Sequence, residues 1–290
     1  MTLIPGVLEV LGADSQHVPL VFDSPHSGTD YPAGFHPIAD RAALRMAEDT
    51  HVHALFSGGI EVGGVMLHAL FPRSFADTNR AVDDLDPAQI DGTLAIPLQP
   101  TVKSLNGIGM CWTRVPPDGA PMYDRPLSAA EVQHRIDTYH QPYQRKLRAL
   151  LDATYSRWGR VLHVNCHSMP HHASAMSPEP MGTTRADFVL GDRDGTSCAP
   201  ALTESIRDFL VARGMSVGIN DPYKGMELVR ANGDPSAHRH SIQIEINRSL
   251  YMDEATRHPN AGFSSLQAVL NDLSVLLAGF FTDQSQRQTS

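Results

Sequence analysis

The sequence predicts an α/β fold with a mostly parallel sheet covered by helices on both faces, and three observations carry the prediction. Short apolar runs alternate with helical periodicities along the chain, the pattern that strand–helix–strand crossovers produce. Residues 241–247 (SIQIEIN) alternate cleanly, with Ile242, Ile244 and Ile246 on one face and Gln243 and Glu245 on the other. His26 and His167 stand where two predicted strands end, and in such sheets ligands gather beyond the carboxyl ends of the strands.

The elements follow in order. Residues 18–23 (VPLVFD) form the first strand, closed by Ser24-Pro25-His26. Residues 39–56 carry a helical pattern. Residues 87–126 are rich in proline and glycine and show little periodicity, which marks an excursion over a site rather than a plain connection. A long helix spans 127–158. Ser128 and Glu131 make a capping box, and Val132, Ile136, Tyr139, Tyr143, Leu147, Leu150 and Tyr155 recur at helical spacing until Gly159. Residues 161–166 (VLHVNC) are a strand with His167 at its end. A helix over 200–213, stopped by Gly214, leads to a strand over 215–219. No internal repeat or low-complexity segment interrupts the pattern, so residues 1–290 are expected to form one domain.

Composition narrows the function classes. Hydrophobic residues at 41% and charged residues at 19% are ordinary for a globular chain, so disorder and fibrous structure are excluded. A net charge of −9 argues against a nucleic-acid partner, which needs a basic surface. A small acidic ligand stays possible, because it feels only the local field of its pocket. Cys111, Cys166 and Cys198 show no CxxC spacing, which excludes a disulfide framework or a cysteine-rich zinc site. The first ten residues lack a basic stretch followed by an apolar run, and no stretch approaches the ~20 apolar residues of a membrane span. The expectation is a soluble, cytoplasmic protein.

A hydrolytic zinc site takes about three ligands from His, Asp and Glu and leaves one position open. His26 in SPHSG, Glu48 and Asp49 in AEDTH, and His167 in NCHSMP are the candidates. The chain has 15 histidines, with His163, His167, His171 and His172 close together, so residue chemistry alone leaves the choice open. No HExxH pair is present. Glu245 is a carboxylate inside an Ile-rich strand, where it costs desolvation unless it does chemistry or pairs with a cation such as Arg248. Asn79 and Arg80 place an amide beside a guanidinium, suited to gripping a carboxylate; alternatively Arg80 neutralises Asp83, Asp84 and Asp86. In the turn over 220–225, Tyr223 and Lys224 either reach a ligand or lie at the surface. Ser24, Ser27 and Ser168 flank histidines, but there is no GxSxG elbow, and no GxGxxG or Walker loop.

Five pieces in order, VFDSPHSGTDYP (21–32), EDTHVHALF (48–56), DTNRAVDDLDP (77–87), HVNCHSMP (163–170) and NDPYKGMELVR through IQIEINRSLYMDE (220–254), resemble the N-formylglutamate amidohydrolase family. The resemblance covers nearly the whole chain, and the last piece is the most specific. That family is similar in fold to the zinc carboxypeptidases and the aspartoacylase-type deacylases. The resemblance therefore implies a three-layer α/β/α sandwich with a central mixed, mostly parallel sheet. It implies a divalent metal, with Zn²⁺ expected, held by His26, Asp49 and His167. Glu245 is then the general base, and Asn79 and Arg80 clamp a substrate carboxylate, with Arg248 or Lys224 assisting. Two departures stand out. The HxxE ligand pair of the relatives is missing, since Thr29 follows His26 by three residues, so the acidic ligand is Asp49 with Glu48 and Asp30 open. His53 stands where the family has an acidic residue. The implied reaction is hydrolysis of N-formyl-L-glutamate, a small acidic N-acyl amino acid, in histidine breakdown. Two other classes are a deacylase or carboxypeptidase with another acyl group or a peptide substrate, and a non-catalytic binder of acidic metabolites.

Overall fold

Strand alternation decides the architecture. The computed structural model describes residues 2–287. Its main sheet has strands β1 (Thr2–Ile4), β2 (Leu8–Leu11), β3 (Leu20–Ser24), β4 (Val65–Ala69), β5 (Val161–Met169), β6 (Phe188–Gly191), β7 (Val217–Ile219) and β8 (Arg239–Asn247). Their spatial order is β1-β2-β4-β3-β5-β8-β6-β7. The four central strands β4, β3, β5 and β8 run parallel. β6 runs antiparallel to β8 and parallel to β7, and β1 and β2 add an antiparallel edge. The sheet is therefore mixed and mostly parallel, as expected.

Register aligns like with like across the centre. Phe22, Val164 and Ile242 occupy one row, and Asp23, Asn165 and Gln243 the next. Because successive side chains point to opposite faces, one face is apolar and the other carries a row of polar groups. The apolar face packs on helix α2 (Pro200–Val211) and helix α4 (Phe263–Arg287), through Leu202, Ile206 and Leu210 and through Leu266, Leu270, Leu273 and Leu277. The polar face is covered by helix α1 (Gln141–Trp158) and helix α3 (Glu227–Asn232). Tyr143, Leu147 and Leu151 of α1 close on Val21 and Val161. Helices on both faces give the three-layer sandwich.

Several sequence expectations change in detail. Residues 39–56 are not one helix but two short ones, Arg41–Arg45 and Val52–Leu55. His51 separates them with φ 70, and the break turns Asp49 inward, its N–H donating to the His26 carbonyl at 2.9 Å. The strand predicted over 161–166 continues to Met169, so His167 lies within the strand rather than beyond it. The long helix starts at Ala129 behind the expected Ser128–Glu131 capping box, but contains a π segment at Ile136–His140. Phe263–Phe280 is long and apolar enough, by length and composition, to cross a membrane, contrary to the expectation that no stretch would be. Here its four inward leucines are buried, each contributing roughly 1.5–3 kcal/mol. The excursion over 87–126 holds a short helix, Val102–Leu105, and joins a small apolar cluster of Leu85, Met110, Cys111, Leu127, Val132 and Ile136.

Candidate active site

The parallel strands converge their carboxyl ends on a cavity of about 160 Å³. His26 follows β3 by two residues, His167 sits near the end of β5, and Glu245 lies opposite His167 in the register of β8. Asp49 arrives from the helix break. Ligand atoms of His26, Asp49 and His167 lie within 4.8 Å of one another, and all three residues are buried.

Hydrogen-bond partners set the tautomers of this trio. His26 Nε2 donates to Asp77 Oδ1 at 2.7 Å, so Nδ1 bears a lone pair; it has no hydrogen-bond partner and faces Asp49 Oδ2 at 3.4 Å. On the other side, Asn165 is fixed by Asp23, an acceptor only, to which its amide donates at 2.7 Å. The Asn165 carbonyl therefore faces His167 and accepts from Nε2 at 2.8 Å. His167 Nδ1 lies on the other side of the ring, 3.1 Å from Asp49 Oδ2. Two imidazole nitrogens and a carboxylate oxygen thus converge, a donor set that holds a metal cation once the histidines carry no proton on the inward side. The group could bind a metal ion. Burial alone would raise the Asp49 pKa, but contacts with His167 and His26 and the Arg248 charge hold it well below the usual carboxylate range. Arg248 Nη2 donates to Asp49 Oδ1 at 2.8 Å, while its Nη1 and Nε go to Met46 O and Ser168 Oγ.

Behind the trio a buried chain of hydrogen bonds fixes these orientations. Ser241 Oγ meets His163 Nδ1 at 2.7 Å, and His163 Nε2 meets Asp23 Oδ1 at 2.7 Å. Tyr143 donates to Asp23 Oδ2 at 2.8 Å. Ser241, His163 and Asp23 have the sequence of a nucleophilic triad but zero solvent exposure, so no substrate reaches them. Ser24, Ser27 and Ser168 bond to one another or to Arg248 and Tyr251 rather than to a histidine.

Glu245 faces the cavity at 7% exposure and accepts one hydrogen bond, from Gln243 at 2.8 Å. Burial raises its pKa, with His167 opposing. The ion pair with Arg248 that the sequence offered as an alternative does not form, since Arg248 serves Asp49. Arg80 also lines the cavity; its Nε donates to Ile108 O at 3.1 Å. Asp84 bonds to Thr101 instead of Arg80. Asn79 lines the same wall, but its carbonyl accepts from Leu228 N at 3.0 Å and its amide contacts His167 at 3.2 Å. Asn79 is thereby tied to the protein.

The remaining candidates part from the group. Lys224 lies outside the cavity and pairs with Asp194 at 2.9 Å on the surface. Its neighbour Tyr223 does line the cavity. Glu48 is buried in a separate network with Tyr31 and Thr50, and Asp30 is exposed. His53 stacks on His68 at 4.7 Å away from the trio, its pKa pushed down to about 4 by burial and by His68 and His51. Three cavity cations escaped the sequence reading: Arg73, Lys103 and Arg185.

A hydrolase acting on an amide bond is the class that this fold and site define. Residues 18–252 match the model of the N-formylglutamate amidohydrolase family, and the chain belongs to that family. It is 29% identical over 250 residues to an N-formylglutamate deformylase of Pseudomonas aeruginosa, covering 85% of this chain and 86% of that one. A Pseudomonas putida protein of the same name is 27% identical, with 85% of this chain and 86% of that one covered. The crystal structure of N-formylglutamate amidohydrolase from Ralstonia eutropha JMP134 superposes with a TM-score of 0.88 at 44% identity, covering 95% of this chain and 98% of that one. The gene product Atu2144 of Agrobacterium tumefaciens has a TM-score of 0.66 at 17% identity over 96% of each chain, a likeness of fold alone.

Proposed function

We propose that the protein hydrolyses N-formyl-L-glutamate to L-glutamate and formate, using a divalent metal ion, most simply zinc, held by His26, Asp49 and His167. The observation that carries the reading is the convergence of ligand atoms of His26, Asp49 and His167, within 4.8 Å of one another, beside the buried Glu245. The names of the relatives support the substrate. Two histidines and one carboxylate fit zinc with a position left for reaction, and such an ion polarises a carbonyl and acidifies water.

The protein groups then divide the work. Glu245 takes the proton of the attacking water and passes it to the departing nitrogen, so the C–N bond breaks to amine and formate. A carboxyl whose pKa is raised by burial is suited to hold that proton between the two transfers. Arg80 meets a substrate carboxylate from the cavity wall and holds the formyl carbon in place. Arg248 is assigned to Asp49 rather than to the substrate, because three of its donor nitrogens are engaged by the protein. The test is formate release from N-formylglutamate before and after metal removal. Hydrolysis should vanish on chelation and return with Zn²⁺. Full turnover by metal-free protein overturns the metal; no turnover by metal-loaded protein overturns the substrate.

A further inference from the structure

Among the described residues, five cations and a single carboxylate line the cavity: Arg73, Arg80, Lys103, Arg185 and Arg248 against Glu245. Three of the cations are already neutralised. Arg73 pairs with Asp77 at 2.9 Å, Arg185 with Glu179 at 2.6 Å, and Arg248 with Asp49 at 2.8 Å. Among the described residues, Arg80 and Lys103 have no carboxylate in ion-pair contact. Lys103 is the one charged residue between Gly92 and Thr113, and the short helix Val102–Leu105 of the excursion carries it to the cavity wall. Burial and the nearby Arg80 and Arg73 bring its pKa down to about 8, with Glu179, itself bonded to Arg185, opposing.

We infer that Lys103 is a further specificity-determining residue of this site, meeting one of the two substrate carboxylates while Arg80 meets the other. The inference deepens the N-formylglutamate reading and rests on it. A dicarboxylate supplies two anions for two cations that lack an ion-pair contact of their own and leaves Glu245 free. Amidating either substrate carboxylate leaves one cation unpaired in a sheltered place, which is where the loss of one partner is felt most.

The test is a crossed one. kcat/KM is measured for N-formylglutamate, its side-chain amide and its α-amide, with wild type, Lys103→Met, Lys103→Arg and Arg80→Ala. Methionine keeps the length and apolar stem of the lysine, so folding is preserved. Wild type should prefer the diacid over each amide by about 30-fold or more. Lys103→Met should collapse one of these two preferences and retain the other; Arg80→Ala should do the reverse. Lys103→Arg should restore part of the lost preference. Lys103→Met losing equally on all three substrates, or losing on none, overturns the inference. Should wild type turn over none of the three, the N-formylglutamate reading falls, and calorimetry with glutarate and butyrate then decides. Loss of the glutarate preference in Lys103→Met upholds the inference, and an unchanged preference overturns it.

Discussion

The cavity has two walls of unlike construction. One is sheet: His167 on β5 and Gln243 and Glu245 on β8 stand in fixed register, and β8 is paired on both sides. The other is excursion: Lys103, Ile108, Trp112 and Pro116 come from a stretch whose own regular structure is a few short turns and two-residue strands. The sheet wall holds His167 and Glu245 of the proposed chemistry, and His26 and Asp49 meet them from the turn after β3 and the helix break, because a metal trio and a base tolerate little displacement. The excursion wall holds proposed substrate choice, where a flexible ammonium suffices. Construction thus separates what must be exact in position from what can be adjusted.

Damage to the sheet wall should be the most severe. His167→Ala removes one of three ligands, so metal content should fall far below one ion per chain and hydrolysis should vanish with it. Retention of stoichiometric metal would misassign His167. Next comes Glu245→Gln, which keeps shape and loses the proton acceptor. It should lower kcat by ~10²–10⁴-fold while metal content and Tm stay near wild type; a collapse of Tm with no specific rate loss points instead to a structural carboxylate. Arg80→Ala should lower kcat/KM by ~2–5 kcal/mol, about 30-fold to several thousand-fold, with Arg80→Lys recovering part. Equal losses on N-formylglutamate and on both its amides would place Arg80 outside carboxylate binding. Deeper in the sheet wall, Asn165→Ala should weaken metal affinity by ~10–100-fold, read by chelator competition, because His167 loses the acceptor that fixes its tautomer. Unchanged affinity would reduce the Asp23–Asn165 chain to packing. Lys224→Ala marks the bottom of the scale. Its ammonium is paired at the surface, so kcat/KM should stay within about twofold of wild type.

The same contrast governs how much could be read in advance. The Ile242–Ile246 alternation disclosed the sheet, because period is a local property, whereas His26 and His167 were two candidates among 15 histidines until the family resemblance singled them out. Asp49 needed more: its neighbour Glu48 is as acidic and as buried, and only the helix break at His51 decides which of the two turns inward. The partner of Arg248 was not legible either. Glu245 lies three residues away in sequence, yet the guanidinium reaches Asp49, 199 residues distant along the chain. Lys224 was misplaced because a turn residue's exposure depends on what the turn packs against. Arg73, Lys103 and Arg185 sit in no motif and come together only in three dimensions. A lone lysine in an otherwise uncharged segment was the one available signal.

The π segment at Ile136–His140 bears on the whole of this layout. It inserts an extra residue into a turn, so the helical segments before and after it are out of phase. Before it, Arg135 donates to Phe75 O at 3.0 Å; after it, Tyr143 reaches Asp23 and Gln144 reaches Thr78 O. Within it, His140 donates to the carbonyl of Arg80 at 2.9 Å. Deleting one residue here would restore regular α hydrogen bonding and rotate one segment against the other by about 100°. Either the Phe75 anchor or the Asp23 and Thr78 anchors would then point the wrong way. The irregular turn acts as an indexing device, letting one rod address two sets of partners that no uniform helix could meet together.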